Sequence, residues 1–160
     1  MRKDSRGFSL IELLIVVAII LIIAAIAIPN LLRSRIAANQ ASAVGSLRTL
    51  NTAEITYAST YNVGYSTALG DLAPPAVGSN PTSTAAGLVD SVLAGGSKSG
   101  YSFTYTPGAP VGGRIETYGL NANPTTVGTT GTNYYYTDQS GVIRQDSTAA
   151  ASAASSPLAG

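Results

Sequence analysis

The residues that most often do chemistry are missing from this chain. Among its 160 residues there is no His and no Cys. That removes the commonest general base, the commonest metal ligand, the thiol nucleophile and any disulfide. No Ser therefore has a His partner to activate it. The run Gly108-Ala109-Pro110-Val111-Gly112-Gly113 matches neither GxGxxG nor GxxxxGK[ST], so no phosphate-binding loop is present. Asp71, Asp90, Asp138 and Asp146 are scattered carboxylates of the kind that usually face solvent. These features predict a protein that is not an enzyme and carries no cofactor. One carboxylate stands apart: Glu12, inside the apolar stretch GFSLIELLIVVAI of residues 7–19.

Glu12 must be carried by a helix. Leu13 to Ile28 is sixteen consecutive apolar residues, and from Phe8 onward only Ser9 and Glu12 interrupt the run. At about 1.5 Å per residue, residues 8–28 span about 31 Å, roughly a hydrocarbon core. Twelve of the sixteen are Leu, Ile or Val. Each favours insertion by roughly 0.3–0.6 kcal/mol, about 4–7 kcal/mol together. A charge at mid-helix costs roughly 3 kcal/mol, and less near the end where Glu12 lies. Insertion therefore wins. Residues 1–7 carry Arg2, Lys3 and Arg6 against Asp4, while the remainder has six basic and seven acidic side chains. The basic start predicts a cytoplasmic N-terminus with the rest exported. The near-neutral remainder carries no electrostatic footprint for nucleic acid.

Two ordinary readings fit the run. One is a secretory signal peptide with Ala25-Ile26-Ala27 as its cleavage site. The other is a plain signal anchor before an extracytoplasmic binding domain. Neither requires Gly7, Phe8 and Glu12 at their positions.

The string Gly7-Phe8-Ser9-Leu10-Ile11-Glu12-Leu13-Leu14-Ile15-Val16-Val17-Ala18-Ile19-Ile20 closely resembles the class III signal of type IV prepilins and of type II secretion pseudopilins. The resemblance implies cleavage between Gly7 and Phe8 by a dedicated membrane aspartic peptidase, followed by N-methylation of Phe8. Glu12 becomes the fifth mature residue and Pro29 the family's helix-bending proline. Glu12 then acquires a role in subunit assembly. Cleavage creates an ammonium at Phe8, and the Glu12 of one subunit meets the Phe8 amine of its neighbour. A buried carboxylate is tolerable when paired and intolerable alone.

Beyond the run, residues 30–61 still read as an amphipathic helix. A proline within a helix removes one backbone bond and kinks the axis, so Pro29 is expected to bend the helix rather than end it. Ile36, Val44, Leu47, Leu50, Ile55, Ala58 and Tyr61 share one stripe, with Gln40, Asn51 and Glu54 as polar interruptions. Ser34, Ala38, Ala41, Ser42, Gly45, Thr49, Thr52 and Thr56 line the opposite face. These are small residues that permit close helix approach or a solvated surface.

Residues 62–99 are rich in Gly, Ser, Pro and Ala and read as a variable loop region, with a short helix near residues 88–93. Residues 100–146 read as an antiparallel sheet. Tyr101 to Thr106 alternates strictly, and Ile115 to Leu120 is a second strand bounded by Gly112-Gly113 and Pro124. Residues 134–137 and 142–144 flank Asp138-Gln139-Ser140-Gly141, a hairpin signal. The nine tyrosines are expected to line the sheet and the helix–sheet interface. Residues 147–160 hold six Ala and four Ser with no strand pattern and read as a flexible tail.

The expected fold is therefore α+β, a long N-terminal helix packed on a small antiparallel sheet. The expected parts are a leader peptide (1–7), a transmembrane and filament-core helix (8–29), an amphipathic helix (30–61), loops (62–99), sheet (100–146) and tail (147–160). The family resemblance implies a structural subunit of a type IV pilus or pilus-like filament. Its partners would be further copies of itself, the prepilin peptidase, a membrane platform protein and an assembly ATPase. The precursor would rest in the inner membrane before entering an extracellular pilus. A pseudopilin in a periplasmic secretion pseudopilus is the alternative. Major pseudopilins carry a Ca²⁺ in sheet-edge loops. Asp138, with carbonyls around Thr137 and Ser140, is the nearest counterpart here, although no DxDxDG string supports it.

Overall fold

The computed structural model describes residues 8–158. The chain divides into two compact units, one ending at Arg35 and one beginning at Ile36. The helix α1, Leu10–Tyr61, supplies the first unit and the opening of the second, with Pro29 inside it. It is long and apolar enough to cross a membrane.

The second unit, the head, packs the later part of α1 against a six-stranded antiparallel sheet. The sheet comprises β1 (Ser97–Lys98), β2 (Tyr101–Pro107), β3 (Tyr118–Pro124), β4 (Tyr134–Asp138), β5 (Arg144–Asp146) and β6 (Ser156–Pro157), paired in chain order. Between helix and sheet lie a 3₁₀ turn, Leu69–Leu72, and a one-turn helix α2, Ser91–Ala94. The α+β expectation holds. The core joins Ala43, Leu47, Leu50, Ala53 and Tyr57 of α1 to Tyr101, Phe103, Leu120, Ala122 and Tyr135 of the sheet, with Leu69, Leu72 and Leu93 closing one side.

The buried stripe of α1 is rotated from the expected one. Leu47 and Leu50 are buried as expected, but Ile55 is 62% exposed, whereas Asn51 and Glu54 are buried. Adjacent helix positions lie about 100° apart, so Glu54 and Ile55 sit on opposite sides of the expected stripe, and the buried side is the one that carries Glu54. The small-residue face is exposed apart from the half-buried Ser42. There Thr49, Thr52 and Thr56 donate their hydroxyls to the carbonyls of Gly45, Arg48 and Thr52 at 3.1, 3.0 and 2.9 Å.

α1 stops at Tyr61, and the next residue, Asn62, takes a left-handed φ of 56°. Arg114 Nη1 holds this end, donating to the Asn62 carbonyl at 2.6 Å and to its Oδ1 at 2.9 Å. Cationic donors suit a helix C-terminus, where carbonyls lack partners. Gly64 then passes against Ile115, and the Tyr65 amide donates to the Ile115 carbonyl at 2.8 Å. A Cβ on Gly64 would collide with that carbonyl. Ile115, expected within the second strand, instead makes an isolated parallel bridge to Gly64. The strand itself begins at Tyr118 and runs through Pro124, which pairs with Tyr101. A proline is tolerated there because β4 pairs only with Gly119–Ala122, which leaves β3 an edge on that side at Pro124.

The hairpin at residues 138–141 forms as expected. The Gly141 amide donates to the Asp138 carbonyl at 2.9 Å, and Gly141 takes a φ of 73°. Its strands pair Tyr136 with Arg144, leaving Val142 and Ile143 in the connection.

Residues 147–158, expected as a flexible tail, are tied to the sheet. Asn121 Nδ2 donates to the Ala151 carbonyl at 2.7 Å, Arg144 Nη1 to the Ser155 carbonyl at 3.1 Å, and the Leu158 amide to the Ile143 carbonyl at 2.8 Å. β6 pairs with β5, and Ala151 is buried. The segment is held by its backbone rather than by an apolar pattern, and its small side chains let that backbone approach.

Candidate functional site

The residues singled out at the N-terminus lie at the start of α1. Phe8 precedes the helix and is 82% exposed. Ser9 occupies the position before the first helical residue, and Glu12 the third helical position. Glu12 Oε2 accepts the Ser9 backbone amide at 2.9 Å. The first four amides of a helix have no partners within it. The pattern S-x-x-E lets a glutamate reach back and satisfy one of them. A carboxylate in the first turn also complements the positive end of the helix dipole. This capping role was not anticipated, although Ser9-Leu10-Ile11-Glu12 spells its signal.

Beyond Glu12 the helix is apolar on every side. Leu10, Ile11, Leu13, Leu14, Ile15 and the aliphatic residues through Ile28 are exposed, and the apolar window has no buried residue. A chain this apolar with no internal partner must be covered by lipid or by another protein. Pro29 lies inside α1. Having no amide hydrogen, it leaves the Ala25 carbonyl without its usual donor. Gly7 lies outside the described residues, as does the expected leader of residues 1–7.

Asp138 sits in the β4–β5 turn, where its Oδ1 accepts the Ser140 amide at 2.9 Å. Thr137 beside it is buried and hydrogen-bonded to Asn51. Among the described residues no three of Asp, Glu, His or Cys come together to hold a metal.

A second polar cluster lies between α1 and the sheet. Asn51 Nδ2 donates to Thr137 Oγ1 at 2.9 Å, and the Tyr118 hydroxyl donates to Asn51 Oδ1 at 2.9 Å. One turn on, Glu54 accepts the Ser66 amide at 2.9 Å and the Ser66 hydroxyl at 2.6 Å. The Tyr105 hydroxyl donates to the Ser66 carbonyl at 2.9 Å. Tyr118 stacks on Tyr105 with centroids 5.7 Å apart and meets the edge of Tyr65 at 4.8 Å. The tyrosines thus line the helix–sheet interface, as their amphipathic rings suggest. Burial pushes the Glu54 carboxyl above its ordinary range, and the same desolvation pushes the phenols of Tyr105 and Tyr118 up. The sequence showed these polar positions only as interruptions of an apolar stripe.

Comparison with known proteins bears on the N-terminal segment. Residues 2–28 match the family described as the prokaryotic N-terminal methylation motif. Over 50 residues the chain is 54% identical to the type IV major pilin protein PilA of Myxococcus xanthus, a stretch covering 31% of this chain and 23% of the relative. Over 37 residues it is 62% identical to the type IV wide pilus major component PilA4 of Thermus thermophilus, covering 23% of this chain and 28% of the relative. The matched stretches thus span about a quarter of the length of either relative. No solved structure matches the chain.

Proposed function

We propose that this protein, whose N-terminal segment is that of the type IV pilins, is a structural subunit of a type IV pilus. The observation that carries the reading is an exposed apolar helix with a single carboxylate near its start. Both relatives are named as major components of pili, which favours a surface fibre over a secretion pseudopilus.

In this reading the precursor lies in the inner membrane with its head outside the cytoplasm. The peptidase cuts between Gly7 and Phe8, and Phe8 is methylated. The cut removes Arg2, Lys3 and Arg6, whose charge would hold the N-terminus at the cytoplasmic surface. The assembly ATPase, acting through the platform protein, then draws subunits from lipid into a helical array. Apolar surface stays covered throughout, so the transfer is not opposed by the hydrophobic effect. Glu12 uses one oxygen to cap Ser9. Its other oxygen accepts the Phe8 ammonium of a neighbouring subunit, and that pair sets the axial register. Pro29 absorbs a local bend in the helix as subunits pack.

Mass spectrometry of protein sheared from the cell surface tests this. The expected result is an abundant species beginning at an N-methylated Phe8. A mature chain beginning at Met1 or Asn30, or no fibre material at all, would overturn it.

A further inference from the structure

Glu54 is the buried ionisable group for which assembly has no use. It is 1% exposed, and Ser66, its hydrogen-bond partner, is fully buried. No Lys or Arg lies beside it, and among the described residues it is in no salt bridge. The groups that face it are Tyr57 from α1, Tyr105 from β2, Tyr118 from β3 and Asp71 from the 3₁₀ turn. Three are phenols and the fourth is an acid, so none neutralises a carboxylate. A buried charge without a counterion is costly, and a carboxyl so placed takes up a proton instead.

The contacts suit both protonation states. When ionised, Glu54 accepts both Ser66 donors, and the 2.6 Å hydroxyl contact is in the range of a charge-assisted bond. When protonated, one oxygen still accepts the Ser66 amide, while the other donates to the Ser66 hydroxyl oxygen. A serine hydroxyl can serve as donor or acceptor, so the link survives. Through it Glu54 ties the segment leaving α1 back onto the helix, twelve residues earlier in the chain.

We propose that Glu54 is a buried proton-binding site whose contacts hold in either state and whose protonation stabilises the head as its surroundings acidify. The direction follows from linkage. The carboxyl binds its proton more tightly in the folded head than at its ordinary value of 4.5. Its stabilisation is complete below that ordinary value and is lost as pH rises through the raised, folded one. The effect is opposite to that of a salt-bridged carboxylate, which loses stability on acidification. The inference is independent of the filament reading, because it concerns only contacts within the head.

The test uses the full-length chain in detergent micelles, with head unfolding followed by tyrosine near-ultraviolet circular dichroism. Glu54→Gln mimics the protonated form, since its carbonyl accepts the Ser66 amide and its NH₂ donates to the hydroxyl. At about pH 8 the variant should melt above the parent by about 3–8 °C, with the gap closing toward pH 4.5. A variant that melts below the parent at pH 8, with a gap that does not change on acidification, would overturn the proposal. A direct measurement needs no change at position 54. The chain has three glutamates, Glu12, Glu54 and Glu116. With ¹³C-labelled glutamate, the Glu54 carboxyl resonance is assigned by elimination using Glu12→Gln and Glu116→Gln. It should titrate above the value measured for glutamate in the urea-unfolded chain. A midpoint at or below that value would also overturn the proposal.

Discussion

The two units treat apolar surface in opposite ways. In residues 8–35 nearly every aliphatic side chain is exposed, and the hydrogen bond from Ser9 to Glu12 is the one side-chain bond described there. In residues 36–158 one core gathers Leu47, Leu50, Leu72, Leu93, Leu120 and most of the aromatic rings, although Ile55 and several valines stay exposed, and the buried polar groups Asn51, Glu54, Ser66 and Thr137 have partners. Most of the head's demands are met within it, although Asn123 Oδ1 and Arg144 Nε are buried without a partner among the described residues. Those of the first unit are not, and its apolar surface is a demand on lipid or on another chain. Substitutions in the two units should therefore fail in different assays.

The largest effect belongs to the first unit. Glu12→Ala should abolish fibres on the cell surface while leaving the chain membrane-bound, with the head as stable as the parent. Electron microscopy of sheared material and a melting curve check the two halves of that statement. Normal fibres from Glu12→Ala would remove the assembly role and leave Glu12 as a helix cap only. Replacing Gly7 by a bulky residue should instead leave uncut precursor, visible as a heavier band in membrane fractions.

In the head the largest loss should come from Leu50→Ala. Leu50 is fully buried in the core. Emptying such a site typically costs about 2–5 kcal/mol. Denaturant unfolding measures it, and membrane insertion should be unaffected. Asn51→Ala should cost about 1–3 kcal/mol, because the Tyr118 hydroxyl is left buried without its acceptor. If Asn51→Ala costs nothing, the polar layer contributes no stability and only the apolar contacts hold helix to sheet.

A smaller effect tests the C-terminal segment. Asn121→Ala removes the bond to the Ala151 carbonyl and should cost about 1 kcal/mol. It should also open residues 147–158 to limited proteolysis before the rest of the head. Cleavage there in the parent at the same rate would return that segment to the loose tail expected from its composition.

How much of this was legible in the sequence follows the same division. The first unit is specified by local signals: a run of apolar residues, a glutamate near its start and a proline after it. Such signals need no partner to be read. The S-x-x-E cap is equally local, spelled by Ser9 and Glu12 alone. In the head, what was local also came through. Gly141 closing the turn after Asp138 is one example, and the alternation from Tyr101 to Thr106 is another. What depended on pairing came through only in part: the second strand, expected at residues 115–120, runs from Tyr118 to Pro124. The strand Tyr118–Pro124 contains Gly, two Asn and Pro, residues that rarely favour strands. It is a strand because β2 and β4 flank it, and because Gly119 leaves room for the ring of Tyr136. The C-terminal segment is invisible for a related reason. Its bonds run from backbone to backbone and to Asn121 and Arg144, and small Ala and Ser side chains leave no periodic trace.

The smallest expected effect is the sharpest test of where the head ends and its demand on other chains begins. Ile55 and Glu54 are neighbours in sequence, and hydrophobicity alone would bury the first and expose the second. The fold does the reverse, with Ile55 exposed on α1 and Glu54 enclosed against Ser66. Ile55→Ser should therefore change head stability by no more than about 0.5 kcal/mol, as for other exposed sites free of special contacts. A loss of about 1.5 kcal/mol or more in denaturant unfolding would mean that Ile55 faces the core and that the helix stripe is the one its apolar residues suggest. If stability holds but fibre yield falls, the exposed isoleucine belongs with the first unit in function, as apolar surface that the head leaves for another copy to cover.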